Sequence, residues 1–236
     1  MSLLRRIDAS PIDTHLDIDQ RVSVRAKRLT LKVNFQTSRI ELVIPQRAPT
    51  KMIERFLESN EAWIHEKQLE LPQRISFVNG ASIPLFGNET QIHITKDITK
   101  KRTDITIHDN TLHITTNLDD PTPRIVRFLK AKAHETYTIL ADQKASDIEK
   151  EIQALSIRDT KSRWGSCSHD GNISLSWRLI FAPYDAMDYV IAHEVSHLKH
   201  MDHSPKFWAR CKSLCRNYHD GKLWMKAHGH ILMRYG

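Results

Sequence analysis

Apolar residues recur at two different spacings along this chain, and the switch between them outlines its elements. Leu29, Leu31, Val33 and Phe35 alternate with polar neighbours, and Ile40, Leu42 and Ile44 do so again. A period of two marks strands with one buried face. Gln36-Thr37-Ser38 reads as the turn between them, so a hairpin is expected here. Over 51–71 the spacing becomes helical, with Ile53, Phe56, Leu57, Trp63 and Ile64 on one side. Ile92 and Ile94 predict another strand. Ile105 and Ile107, then Leu112 and Ile114, flank Asp109-Asn110, a pair that tolerates the positive φ of a tight hairpin turn.

Pro121 and Pro123 mark a change of pattern. A long helix is expected over about 123–152, with Ile125, Phe128, Leu129, Tyr137 and Leu140 on its apolar side. A strand near 154–160 follows, then the run Ser162-Arg163-Trp164-Gly165-Ser166-Cys167-Ser168 and an Asp170-Gly171 turn. Ile173, Leu175 and Trp177 alternate in a strand ending at Leu179-Ile180-Phe181. Asp185, after Pro183, reads as the N-cap of a helix running through Asp188, Tyr189, Val190, Ile191 and Ala192, and another helix starts at Pro205. The whole predicts an α+β chain in two parts: a β-rich region over 1–120, and over 121–236 a small sheet with a central helix and flanking helices.

That central helix carries the candidate chemistry. Residues 193–203 read His-Glu-Val-Ser-His-Leu-Lys-His-Met-Asp-His. Imidazoles at i and i+4 share a helix face one turn apart, so His193 and His197 can grip one metal ion from one side. Glu194 points just off that axis, where a carboxylate can take a proton from metal-bound water. A hydrolytic zinc usually keeps three protein ligands and one open position. Gluzincins take the third from a Glu on a later helix, but no Glu follows Glu194 here; the later acids are Asp202 and Asp220. His200 lies seven residues, about 10.5 Å of helical rise, from His193 and is too far to share its ion. His203 escapes this limit if the helix ends near Met201, as Ser204-Pro205 suggests, Ser being a good N-cap and Pro suiting a first helical turn. His193, His197 and His203 are therefore the expected ligands, with His219 and Asp220 as rivals for the third place.

Composition narrows the class without naming a substrate. A chain of 236 residues with 40% hydrophobic and 27% charged content fits a soluble globular protein with a real core. No apolar run approaches the ~18 residues of a membrane span, and Leu3-Leu4 before Arg5-Arg6 offers no secretory h-region, so a cytoplasmic location without a membrane partner is expected. Three cysteines make no disulfide framework. Cys211 and Cys215 fall on one apolar stripe with Phe207, Trp208, Leu214 and Tyr218 and read as buried packing residues. The net charge of +7 is uneven: 17 Lys and Arg against 16 Asp and Glu up to residue 120, then 18 against 12. An anionic substrate or nucleic acid would suit that bias, although ordinary solvated surface is the simpler explanation, since no dense block of Lys and Arg is present. His65, His93, His108 and His113 read as surface residues.

Several blocks match a known family in order. They are Arg163-Trp164-Gly165-Ser166-Cys167-Ser168, Gly171-Asn172-Ile173, Trp177-Arg178-Leu179 with Pro183, Asp188-Tyr189-Val190, His193-Glu194-Val195-Ser196-His197-Leu198, and His203-Ser204-Pro205 with Phe207-Trp208. Together with Arg25-Ala26-Lys27-Arg28 they resemble the YgjP-like metallopeptidase family, a minimal zincin group related to SprT-type and gluzincin peptidases. The resemblance implies a small α+β zincin-like core behind a β-rich N-terminal region, zinc held by His193, His197 and His203, and Glu194 as general base. The chain has Val195-Ser196 where the family usually has Leu-Ala, a change that leaves the ligands in place. SprT-type proteases share a similar Trp-Gly-Ser-Cys block, but their third histidine lies further downstream.

The expected function is a zinc-dependent hydrolase, foremost a metallopeptidase acting on a peptide or protein. Two alternatives use the same motif: a metal-dependent nucleoside triphosphate pyrophosphatase, and a non-catalytic zinc module closed by His200 or Cys167. A peptidase also needs a donor for the tetrahedral oxyanion. Arg163, Arg178, Tyr184, Tyr218 and His219 are the candidates, each with a structural role as its simpler reading. The segment 173–181 could offer backbone hydrogen bonds to an extended peptide.

Overall fold

A computed structural model describes residues 16, 18–34, 39–71, 75–160 and 163–236 of the chain. The fold is α+β, and it divides into two compact units, one within Met1–Arg74 and the other Ile75–Gly236. In the first, β1 (Ile18–Ser23), β2 (Thr30–Asn34) and β3 (Arg39–Pro45) form a sheet of order β1-β3-β2. The expected hairpin is the antiparallel β2–β3 pair, with Val33 opposite Ile40; its turn at 36–38 lies outside the described residues. Helices α1 (Thr50–Ser59) and α2 (Glu61–Glu70) bury Ile53, Leu57 and Ile64 with Ile40, Leu42 and Ile44 of β3. The single helix expected over 51–71 is thus two. Asn60 breaks it: its side-chain amide donates to the Phe56 carbonyl at 2.7 Å, and its backbone leaves helical geometry.

The second unit begins well before Pro121. Strands β4 (Ser82–Leu85), β5 (Asn88–Lys96), β6 (Asp104–His108) and β7 (Thr111–Thr116) form a sheet of order β4-β5-β7-β6. Asp109 and Asn110, both at positive φ, join β6 to β7 as expected. The inner face of this sheet, including Ile83, Ile92, Leu112 and Ile114, shares one core with Ile125, Leu129 and Tyr137 of α3 (Thr122–Ser146). The compact units therefore part at 74–75 rather than at 121. Pro121 and Pro123 mark instead the start of α3, where a missing N–H and a fixed φ fit the first turn. That helix stops at Ser146, short of 152, and Glu149 follows at φ +54°.

The rest of this unit carries the motif. Strands β8 (Ala154–Arg158), β9 (Gly165–Cys167) and β10 (Asn172–Ser176) form a sheet of order β8-β10-β9, with β9 antiparallel to β10 on an edge. The strand expected to reach Phe181 ends at Ser176, whose hydroxyl accepts from the Arg178 N–H and caps a buried 3-10 turn, Trp177–Phe181. Helix α4 (Tyr184–Ser196) follows, with extended Pro183 at the cap and Asp185 inside the first turn rather than capping it. The Pro183 carbonyl accepts from Ala186 and Met187 at 3.0 and 3.1 Å, which fixes the start two residues earlier than an Asp185 cap would. Helices α5 (Pro205–Leu214) and α6 (Tyr218–His228) flank α4. A buried ion pair of 2.6 Å joins Lys144 of α3 to Asp188 of α4, and Lys144 also donates to the Leu214 carbonyl. Among the described residues no helix is long and apolar enough to cross a membrane.

Candidate metal centre

Helix α4 delivers His193 in its last turn and ends at Ser196, earlier than Met201, with His197 as its C-cap. The His200 N–H donates back to the Ser196 carbonyl at 3.1 Å, and Ser204 opens α5 by accepting from the Phe207 N–H. Between these two anchors the chain reverses. The reversal brings His203 Nε2 to 3.1 Å from His193 Nε2. One ring nitrogen from each of His193, His197 and His203 lies within 4.8 Å of the others, and they form the one such group of three or more potential ligands among the described residues.

Two of the rings, those of His193 and His197, are prepared as neutral donors. His197 Nδ1 stands 3.0 Å from the His200 carbonyl, which can only accept, so that nitrogen holds the proton and Nε2 keeps its lone pair. His200 thus serves through its backbone. His193 Nδ1 is buried with no hydrogen-bond partner among the described residues. Packing orients the ring instead: Phe207 lies 4.9, 4.5 and 4.7 Å from the His193, His197 and His203 ring centres, and Trp208 lies 5.7 Å from His193. Burial pushes His193 down to about 4, with the charges of His197, His203 and Lys222 adding to the effect, and burial lowers His197 as well. Three imidazoles that each bring a ring nitrogen to one point, two of them on one face of a helix end, fit a divalent cation.

The Glu194 side chain lies against β9. A Cβ at Gly165 would lie 2.5 Å from both Cγ and Oε1 of Glu194, so only glycine leaves room for this carboxyl. The Trp164-Gly165-Ser166-Cys167 block and the histidine motif, separate in sequence, meet at this point. The carboxyl is buried and makes no hydrogen bond or ion pair with a described residue. Burial raises its pKa to about 7, opposed by the charge of exposed Arg163. Burial, then the Glu194 charge, pushes the Cys167 thiol up to about 11, so it stays protonated at neutral pH and is a poor metal ligand.

The other candidates scatter. Arg163 lies near enough to Glu194 to act on it. Arg178 is committed elsewhere: it donates to the Tyr235 carbonyl at 2.9 Å, to Gly236 at 3.3 Å and to the Asp159 carboxylate, none of them in the cluster. Tyr184 is exposed at the start of α4. Tyr218 is buried on α6 and accepts a hydrogen bond from Lys222 at 3.1 Å. His219 and Asp220 are exposed and outside the cluster; the His219 ring packs on Tyr218. Cys211 and Cys215 are buried as expected. His108 and His113 stack at 3.9 Å on the outer face of the four-stranded sheet, with His93 beside them, a grouping that linear spacing hides. Sequence reasoning missed two residues at the centre. Gly165 carried a signal in its setting between Trp164 and Ser166; Lys222 carried none.

Residues 27–228 match the family model described as YgjP-like, metallopeptidase domain. No curated protein matches the chain. Among solved structures, the metallopeptidase zymogen abylysin of Pyrococcus abyssi is 21% identical, over 38% of this chain and 93% of its own length, with a TM-score of 0.33. The family match spans most of the sequence and includes every residue of the histidine cluster, and by it the chain belongs to the YgjP-like metallopeptidase family.

Proposed function

We propose that the protein is a zinc-dependent metallopeptidase in which His193, His197 and His203 hold the metal and Glu194 is the general base. One observation carries this reading: three imidazoles converge next to a buried carboxyl that makes no hydrogen bond or ion pair with a described residue. Zinc suits three imidazole nitrogens, and when bound it supplies Lewis acidity that lowers the pKa of water toward ~7 and polarises the scissile carbonyl. Glu194 takes the proton of the attacking water at its carboxylate and passes it to the leaving amine nitrogen. A proton affinity near neutrality suits both transfers. Phe207 and the half-buried Trp208 hold the rings in place and limit water around them.

The substrate is a peptide in extended form. Strand β9 pairs with β10 along one side only among the described residues, so its other backbone edge is open to an added strand. Gly165 lies on that strand against Glu194, so a peptide laid along β9 passes the general base.

The test compares wild type and Glu194→Gln, both zinc-loaded, against a peptide library and a nucleoside triphosphate panel. Wild type is expected to cleave peptides. The variant is expected to keep one zinc per chain and lose at least about a hundredfold in rate. Full activity in Glu194→Gln, or pyrophosphate release without peptide cleavage, would overturn the proposal.

A further inference from the structure

Lys222 stands at the rim of the metal centre. Its ammonium lies 4.3 Å from the Trp208 ring centre and 5.4 Å from that of Tyr218. It also donates to the Tyr218 hydroxyl at 3.1 Å. The Trp208 ring lies 5.7 Å from His193 and 5.5 Å from His203. The ammonium is therefore one indole removed from two of the three imidazoles. No carboxylate among the described residues forms an ion pair with it.

This arrangement prepares a cation for an incoming anion. A free lysine loses considerable rotamer freedom when it binds. Here the two aromatic rings and the hydroxyl already restrict the side chain, which reduces that loss. One of the three ammonium donors is used by Tyr218, and two remain. The place also limits the role. A group one ring's width from the histidines is set back from the reacting carbonyl and suits a neighbouring part of the substrate. We propose that Lys222 is a specificity-determining residue that binds a carboxylate of the substrate, from an acidic side chain or a chain terminus, beside the cleaved bond. The proposal rests on the metallopeptidase reading for the identity of the substrate as a peptide.

Two small zinc-anchored probes test it without turnover: succinic monohydroxamic acid, which carries a free carboxylate, and its primary-amide counterpart. Their affinities for zinc-loaded protein are measured by calorimetry at neutral pH. Wild type is expected to bind the carboxylate probe about tenfold more tightly, as a charge-assisted hydrogen bond provides. Lys222→Met, which keeps the aliphatic stem on Trp208, is expected to lose that preference with zinc content unchanged, and Lys222→Arg to retain it. A wild type that binds both probes equally, or neither, overturns the proposal, as does an undiminished preference in Lys222→Met. A protein that binds the probes with this preference yet cleaves no peptide would refute the peptidase reading alone.

Discussion

At position 165 even a methyl group is too much. The Cβ of an alanine would sit inside van der Waals contact with the Glu194 side chain, and the carboxyl rather than the strand backbone is the part free to yield. Gly165→Ala is therefore expected to displace Glu194, the proposed general base, and cut peptidase activity on the order of a hundredfold, since misplacement of about 1 Å can cost that much. Zinc content should not change. Rate and metal analysis on one preparation check this, and wild-type rates in the variant would contradict it. The residues of the cluster were legible because their geometry is local. Two of the three histidines follow from the helical repeat, and the third follows from Ser204-Pro205 restarting the chain. Gly165 and Lys222 were not legible in the same way, because each is defined by a partner on another element.

At the scale of elements, α4 has to be held still for its last turn to present the histidines. The Lys144–Asp188 pair does part of this from α3. Lys144→Met would leave Asp188 buried without a counter-ion and the Leu214 carbonyl without its donor. Loss of one partner of a buried pair is expected to cost about 3–5 kcal/mol, read as a lower urea midpoint with an unchanged slope. The contact of α6 with α4 is equally tight: a Cβ at Gly221 would lie 2.2 Å from the Asp185 carbonyl oxygen. Gly221→Ala should force the helices apart at a cost of about 1–3 kcal/mol. Most elements were legible from apolar spacing, including α3, β7 and the β6–β7 turn. Several boundaries were not, and two of them fail for a named reason. The Asn60 amide competes with helix hydrogen bonds; at the end of β10, Ser176 caps a 3-10 turn and full burial of Trp177–Phe181 erases the alternation that would distinguish strand from turn.

At the scale of the molecule, the boundary expected at 121 moved because a sheet and a helix adjacent in sequence bury their apolar faces in one core. Periodicity reports that each has such a face and is silent on what covers it. Arg178 illustrates the same limit: it lies in a recognisable block, yet it ties Asp159 to residues 235 and 236. Burial raises the pKa of Asp159, but the Arg178 hydrogen bond and charge, with Lys130, outweigh it and leave the carboxyl below its ordinary value. A depressed carboxylate contributes stability above its unfolded pKa of about 3.9, and that contribution is lost as pH falls through the lower folded value. Asp159→Asn is therefore expected to melt below wild type at pH 7, with the gap closing under about pH 4. A gap independent of pH would show that the charge of Asp159 contributes nothing.

The central claim is the metal centre itself. X-ray absorption at the zinc edge, on protein with its metal content measured, tests it most directly. One zinc per chain is expected, with three imidazole nitrogens at about 2.0–2.1 Å, falling to two in His203→Ala. Failure to retain zinc, or a thiolate in the coordination shell, or a shell unchanged in His203→Ala, would contradict it.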